Sequence, residues 1–364
     1  MVAKRIEPAE WAAHQAMWIG WPSAADLWEE DLAGARREVG ALIRAILYPD
    51  PDDQGGARTR GERIELLVRG AEARAAAELM RKTLPHGGLV RLREAPIGDI
   101  WLRDTGPIFV KAGGALAASA FRFNGWGGKY ELPEDDRIAD ILAGFAEARL
   151  TRFPDFVGEG GAIETDGEGT VITTRQCLLN RNRNPGLSER DVEGVLNAAV
   201  GAEKVIWLDD GLIGDHTDGH VDNLARFIAP GRLVCQRPYG DDPNTEILNA
   251  VRGALERATD AAGRRLEVVE IPSPGIARFS DTPGHPRESS DDGPAPASHM
   301  NFLIANHAIV MPTYAAITRD ELAGEEALSI LQAAAVRRHV IGIDSSHLLT
   351  GGGSFHCISQ QQPA

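Results

Sequence analysis

One cysteine, three histidines and a set of carboxylates fall in short glycine-rich stretches, and together they could break a carbon–nitrogen bond. The last stretch is Gly351-Gly-Gly-Ser-Phe-His-Cys357. Its glycines let the backbone take positive φ and approach a ligand closely. A cysteine just past such a turn, with His356 beside it, reads as a presented nucleophile. Cysteine attacks as the thiolate, so it needs cationic or hydrogen-bonding surroundings. Gly214-Asp-His-Thr-Asp-Gly-His-Val-Asp-Asn223 packs two histidines and three aspartates into a few residues ahead of an apolar run. On a strand, His220 and Asp222 would share one face, because side chains alternate with period two.

Three further stretches carry weaker signals. Asp99-Ile-Trp-Leu-Arg-Asp-Thr-Gly-Pro107 could hold Asp99 or Asp104 on a strand end, or use them as turn caps. Val157-Gly-Glu-Gly-Gly-Ala-Ile163 sets Glu159 between glycines, either as an approachable carboxylate or as an ordinary loop. Phe121-Arg-Phe-Asn-Gly-Trp-Gly-Gly128 supplies Trp126, which with Trp101 could wall a flat cation or serve packing alone.

Two mechanisms use this set. In one, Cys357 attacks an electrophilic carbon, His220 shuttles protons, and carboxylates hold a positive substrate. In the other, His216, Asp218, His220 and Asp222 bind a metal that activates water. Paired carboxylates would oppose the oxyanion of ester or peptide cleavage. They suit a guanidinium, whose planar fork of N–H donors matches carboxylate oxygens.

The elements that must position these residues repeat. Strand-like hairpins fall at 97–124, 157–180, 219–238 and 298–314, and helix-like stretches at 33–47, 134–148, 188–200, 244–261 and 319–338. Ile247, Leu248, Val251, Leu255 and Ala258 recur at amphipathic spacing. Ser188 with Asp191, and Thr318 with Glu321, mark helix starts. This alternation points to an α/β propeller of hairpin-plus-helix units rather than a dinucleotide fold. The stretches 49–60 and 280–296 read as surface loops, the second a candidate lid.

Composition narrows the partners. The 364 residues carry 53 acidic against 38 basic side chains, a net charge of −15, which disfavours nucleic acid and anionic membranes. No apolar run is long enough to span a bilayer, and the start shows no secretory signal, so a cytoplasmic protein is expected. Three cysteines without a CxxC pair argue against disulfides and structural zinc. Cys177 and Cys235 lie in apolar runs and read as buried, inert thiols.

The ordered motifs WLRDTGP, EGGAIETDGEGT, GHVDNLARF and GGGSFHCISQQQP, with EWAAHQAMWIGWP and FNGWGG, resemble the agmatine deiminase family across residues 7–363. The resemblance implies a single-domain, five-bladed α/β propeller (the pentein fold of guanidino-group-modifying enzymes) with its site at the centre. It implies that Cys357 attacks the guanidinium carbon, Asp104 and Asp222 hold the nitrogens, His220 transfers protons, and Glu159 orients His220. Trp101, Trp126 and Asp218 would complete substrate binding, with no metal and no organic cofactor. The expected substrate is a small cationic guanidine, agmatine, feeding putrescine formation; peptidylarginine is the alternative. Relatives of this kind are commonly dimers or larger, which allows a homo-oligomer. Two positions depart from the pattern: His216, where an acidic residue is expected, and Ser354, where asparagine is common. Free arginine would need a basic residue for its carboxylate, and Arg103, Arg122 and Arg181 are candidates. A catalytically silent propeller that binds polyamines is a further alternative, although every expected catalytic position is filled.

Overall fold

The structure, a computed structural model, describes residues 4–48, 61–283, 293–335 and 337–364. The 49–60 stretch and residues 284–292 of the 280–296 segment therefore lie outside the described residues.

Among the described residues, five sheets organise the chain. Four of them start with an antiparallel pair: Ile108–Ala112 with Ala115–Arg122, Glu164–Thr165 with Thr170–Thr174, Ala225–Ala229 with Arg232–Arg237, and Leu303–Ile304 with Ala308–Thr313. A helix then crosses over to a third strand parallel to the second of each pair. A parallel partner cannot be reached by a tight turn, so each unit needs its crossover. The fifth sheet joins the chain ends. Ser359–Pro363 pairs antiparallel with His14–Gly20, after which Leu32–Leu47 crosses to Ile64–Val68. Closure of this sheet fixes Cys357, two residues ahead of the last strand, against the N-terminal strand.

Amphipathic helices seal the units. Thr245–Arg257 buries Leu248, Val251 and Leu255, the face read from the spacing. Ser188 and Asp191 form a reciprocal capping box at the start of Glu189–Val200, and Gly201 ends that helix at φ 83°. The Thr318/Glu321 signal is displaced. Ala315–Thr318 is a separate short turn, and the long helix begins only at Leu322, whose N–H donates to Asp320 Oδ1 at 2.8 Å. Two possible oxygens within three residues competed for one role, and the aspartate took it. Among the described residues no helix is long and apolar enough to cross a membrane.

Candidate active site

Each unit delivers its polar groups from a short turn just ahead of its first strand. Leu102–Thr105 is one helical turn carrying Asp104. Glu159 precedes the turn Gly160–Ala162, and His220 precedes Val221–Asn223, which carries Asp222. His220 and Asp222 are therefore not on a strand: His220 is the extended residue before the turn, Asp222 lies within it, and both side chains face Gly161. The fourth unit brings Asn301 ahead of Leu303, and the fifth brings Cys357 ahead of Ser359. Backbone bonds lock the turns together: Arg103 N–H to Cys357 C=O at 3.0 Å, and His356 N–H to Asn301 C=O at 3.1 Å.

The glycines do something other than expected. Of residues 351–353 only Gly352 has positive φ (89°). Gly351 and Gly353 are needed because a Cβ on either would come within 2.6 Å of the Trp101 ring. Gly161 has the most direct role: its Cβ would lie 2.5 Å from His220 Nδ1 and 3.1 Å from Asp222 Oδ2. Any side chain there would fill the centre of the site.

Cys357 is buried, and its Sγ accepts from Asn301 Nδ2 at 3.0 Å and lies 3.6 Å from Asp222 Oδ2. Burial pushes this thiol well above its ordinary range, and Asp222 and Asp104 push it further, against the hydrogen bonds from Ser354 and Asn301. The thiolate thus needs a cation in the site. Asp222 is held below the usual carboxylate range: burial opposes its charge, but His356, His220 and Arg226 overcome that. Its Oδ2 takes His356 Nδ1 at 2.8 Å, while its buried Oδ1 has no partner. Asp104 accepts from Trp126 Nε1 at 2.9 Å and Gly161 N–H at 3.1 Å. Burial and the neighbouring Asp222 and Glu159 raise it to about 6, although His220 pulls the other way.

His220 is fully buried between carboxylates, with Nδ1 3.8 Å from Asp104 Oδ1 and Nε2 3.8 Å from Glu159 Oε2. Neither ring nitrogen has a hydrogen-bond partner. Burial alone would lower its pKa; Asp104, Cys177 and Glu159 raise it well above 6.5. Glu159 is held in turn by Arg183 Nε at 2.7 Å.

A cavity of about 200 Å³ reaches this centre and is lined by Asp104, Cys357, Trp101, Trp126 and Gly351–Gly353, with Asp99, Tyr130 and His216. Trp101 and Trp126 stand where a flat cation would be walled, each anchored by its indole N–H, on Asp99 at 2.8 Å and on Asp104 at 2.9 Å. Asp218 does not line it. Its oxygens are taken by Lys129 at 2.6 Å and by Asn182 and Arg183 at 2.9 Å each, so it braces the loop instead of meeting a ligand. His216 lines the cavity with its ring stacked on Phe279 (5.1 Å, 17°) and Nδ1 3.0 Å from the Tyr130 hydroxyl. Ser354 is turned away onto Ser345 Oγ at 2.7 Å. A second cavity of similar size, beside Tyr314 and Leu328, touches none of the turn residues Asp104, Glu159, His220, Asp222 and Cys357.

Sequence reading missed three parts of the site. Asn301, in Ser298-His-Met-Asn301, occupies in its unit the place Cys357 holds in its own; that offset was the available signal. Beneath the site, Glu10 joins Arg226 and His356, and Arg226 also binds Glu164 at 2.8 Å, with nothing local in the sequence linking them. Cys177 is buried as expected but is no mere core thiol, since its Sγ lies 4.0 Å from Glu159 Oε2 and within reach of His220. Cys235, by contrast, sits in a strand core, where burial pushes it to about 12. The alternative metal set fails geometrically. Among the described residues, the donors that converge are those of Glu159, Cys177 and His220, not those of His216, Asp218 and Asp222.

Known proteins place this arrangement. The family model of Porphyromonas-type peptidyl-arginine deiminases matches residues 6–363. The agmatine deiminase of Stutzerimonas stutzeri is 38% identical over 98% of this chain and 95% of its own length. That of Pseudomonas aeruginosa is 36% identical over 98% and 95%. The solved agmatine deiminase of Enterococcus faecalis superposes with a TM-score of 0.81 at 30% identity, covering 99% of this chain and 96% of that one. The solved putative arginine deiminase of Porphyromonas gingivalis superposes with a TM-score of 0.82 at 32% identity, covering 99% of this chain and 98% of that one. The chain belongs to the Porphyromonas-type peptidyl-arginine deiminase family.

Proposed function

We propose that the protein hydrolyses agmatine to N-carbamoylputrescine and ammonia, a step of putrescine formation, through an amidino-cysteine intermediate. The observation that carries this reading is the pairing of a buried thiol with two buried carboxylates, one with an oxygen lacking any partner. A guanidinium supplies what each lacks. Its N–H groups satisfy Asp222 Oδ1 and reach Asp104, and its charge offsets the two anions that hold Cys357 protonated. As the cation enters, the thiol releases its proton to solvent and Sγ attacks the guanidinium carbon. His220, charged because Asp104 and Glu159 outweigh its burial, gives a proton to the departing nitrogen, and the C–N bond breaks to release ammonia. Neutral His220 next takes a proton from water, whose oxygen attacks the amidino carbon. The C–S bond breaks and the thiolate returns. Glu159, fixed by Arg183, orients and stabilises the charged imidazole.

Agmatine is favoured over arginine because no Lys or Arg is found among the described residues lining the cavity. Arg103, the nearest candidate, is buried and donates to Gln361 at 2.7 Å. The test is ureido-product formation from agmatine, arginine and blocked peptidylarginine. Turnover of agmatine alone is expected; peptidylarginine turning over while agmatine fails would overturn the substrate and leave the chemistry.

A further inference from the structure

Cys177 is used by no step above, yet its thiol shares one small volume with His220 and Glu159. One donor atom from each of the three lies within 4.8 Å of the other two, and all three residues are buried. The measured edges are 3.8 Å from His220 Nε2 to Glu159 Oε2 and 4.0 Å from Cys177 Sγ to the same oxygen. A tetrahedral zinc ion with bonds of about 2.0–2.3 Å to nitrogen, oxygen and sulfur has ligand-to-ligand edges of roughly 3.3–3.6 Å. The two measured edges thus need to close by only a few tenths of an ångström, and the third lies within 4.8 Å.

The surroundings also match what holds ligands in metal sites, where a carboxylate is hydrogen-bonded from behind and a histidine's other nitrogen faces an acceptor. Glu159 uses Oε1 on Arg183 at 2.7 Å, which leaves Oε2 free for an ion. His220 has no partner on either nitrogen; with Nε2 on a metal, Nδ1 faces Asp104 Oδ1 at 3.8 Å. A fully buried imidazole set between two carboxylates and beside a soft sulfur donor is a donor set that suits a divalent cation.

We propose that Glu159, Cys177 and His220 form an inhibitory site for a borderline-soft divalent cation of the zinc class. Binding displaces the Cys177 proton and any proton on His220 Nε2 to solvent, and it forms metal–sulfur, metal–nitrogen and metal–oxygen bonds, with water as fourth ligand. The ion stops turnover because it takes the nitrogen and oxygen that proton transfer needs. That consequence rests on the roles proposed above for His220 and Glu159, whereas the binding does not.

The experiment titrates metal-free enzyme with Co²⁺ and reads the thiolate-to-cobalt charge-transfer band, then repeats it with Zn²⁺ competing. One ion per chain is expected, with the band retained in Cys357→Ala, lost in Cys177→Ala, and Zn²⁺ affinity in Cys177→Ala weakened at least about 100-fold. A band lost in Cys357→Ala and kept in Cys177→Ala would move the ion to the nucleophile and overturn the site; so would wild-type enzyme that binds no ion. If Cys177→Ala does not fold, Cys177→Ser gives the same readout, since an oxygen produces no thiolate band. Wild-type agmatine turnover is expected to fall with Zn²⁺ and return with chelator. Binding at Cys177 without inhibition would overturn the roles given to His220 and Glu159 and leave the metal site standing.

Discussion

Two buried ionic layers lie one above the other in this molecule, and they are built on opposite rules. In the lower layer the central cation and its two carboxylates are matched. Arg226 is ion-paired with Glu10 and Glu164 and donates to the Phe302 carbonyl at 2.6 Å, while Glu10 and Glu164 also accept the Ile304 and Phe227 N–H groups at 2.7 and 2.8 Å. In the upper layer Asp222 Oδ1 and both nitrogens of His220 have no partner. Leaving such groups unpaired costs free energy that a structural network avoids. On the function proposed above, the partner these groups take is the substrate. His356 couples the two, with Nδ1 on Asp222 and Nε2 on Glu10.

The contrast breaks most sharply at the nucleophile. Cys357→Ala is expected to lower agmatine turnover by on the order of 10⁴-fold or more while agmatine still binds, because both carboxylates remain. Calorimetry and the ureido assay on one preparation check this, and substantial residual ammonia release would sink the covalent route. In the lower layer, Arg226→Met leaves Glu10 and Glu164 buried without their cation. The expected loss is about 3–5 kcal/mol of stability, read by denaturant unfolding. A variant as stable as the wild type would remove the distinction between the layers.

Asp104→Asn sharpens it from the other side. Its carboxyl stands at about 6 instead of 3.8, so ionisation is disfavoured in the folded protein. A group with a raised folded pKa contributes stability that is complete below its unfolded value and is lost as pH rises through its folded value. Wild-type stability should therefore fall, relative to Asp104→Asn, between pH 4 and pH 7. The variant should be the more stable at neutral pH, yet lose on the order of 10²–10³ in kcat/KM because one guanidinium anchor is gone. Parallel melting curves across that pH range check the sign.

How much of this was legible in sequence depended on whether the signal was local. His220, Asp222 and Cys357 stood out because each sits in a dense, glycine-flanked motif that few packing roles require, whereas Asp104 and Glu159 carried weak local signals and entered through the family resemblance. The five-unit repeat was only faintly visible, since the units share a topology and a turn position but not residue types. Asn301 illustrates the loss: an asparagine two residues ahead of a strand carries no chemical flag until Cys357 is seen at the same offset. Glu10, Arg226 and Glu164 could not be joined at all, because their pairing spans separations of 62 and 216 residues and exists only after the sheets assemble. Asp218 erred the other way. It lay inside the densest polar motif, but its positive φ of 64° turns it toward Lys129 and Arg183.

The smallest expected effect lies outside both layers and calibrates them. The Ser188 side chain accepts from the Asp191 N–H at 3.3 Å, and Asp191 returns the bond to the Ser188 N–H at 2.9 Å. Both side chains are exposed, so no buried charge depends on them. Ser188→Ala frees one N–H at the start of Glu189–Val200, where water can replace the lost acceptor. The expected cost is about 1 kcal/mol in stability, with kcat and KM for agmatine unchanged. A change in kcat from so distant a cap would mean that rigidity of the second sheet governs the turns at the centre. Unpaired polar atoms would then not suffice to separate the reacting layer from the one that supports it.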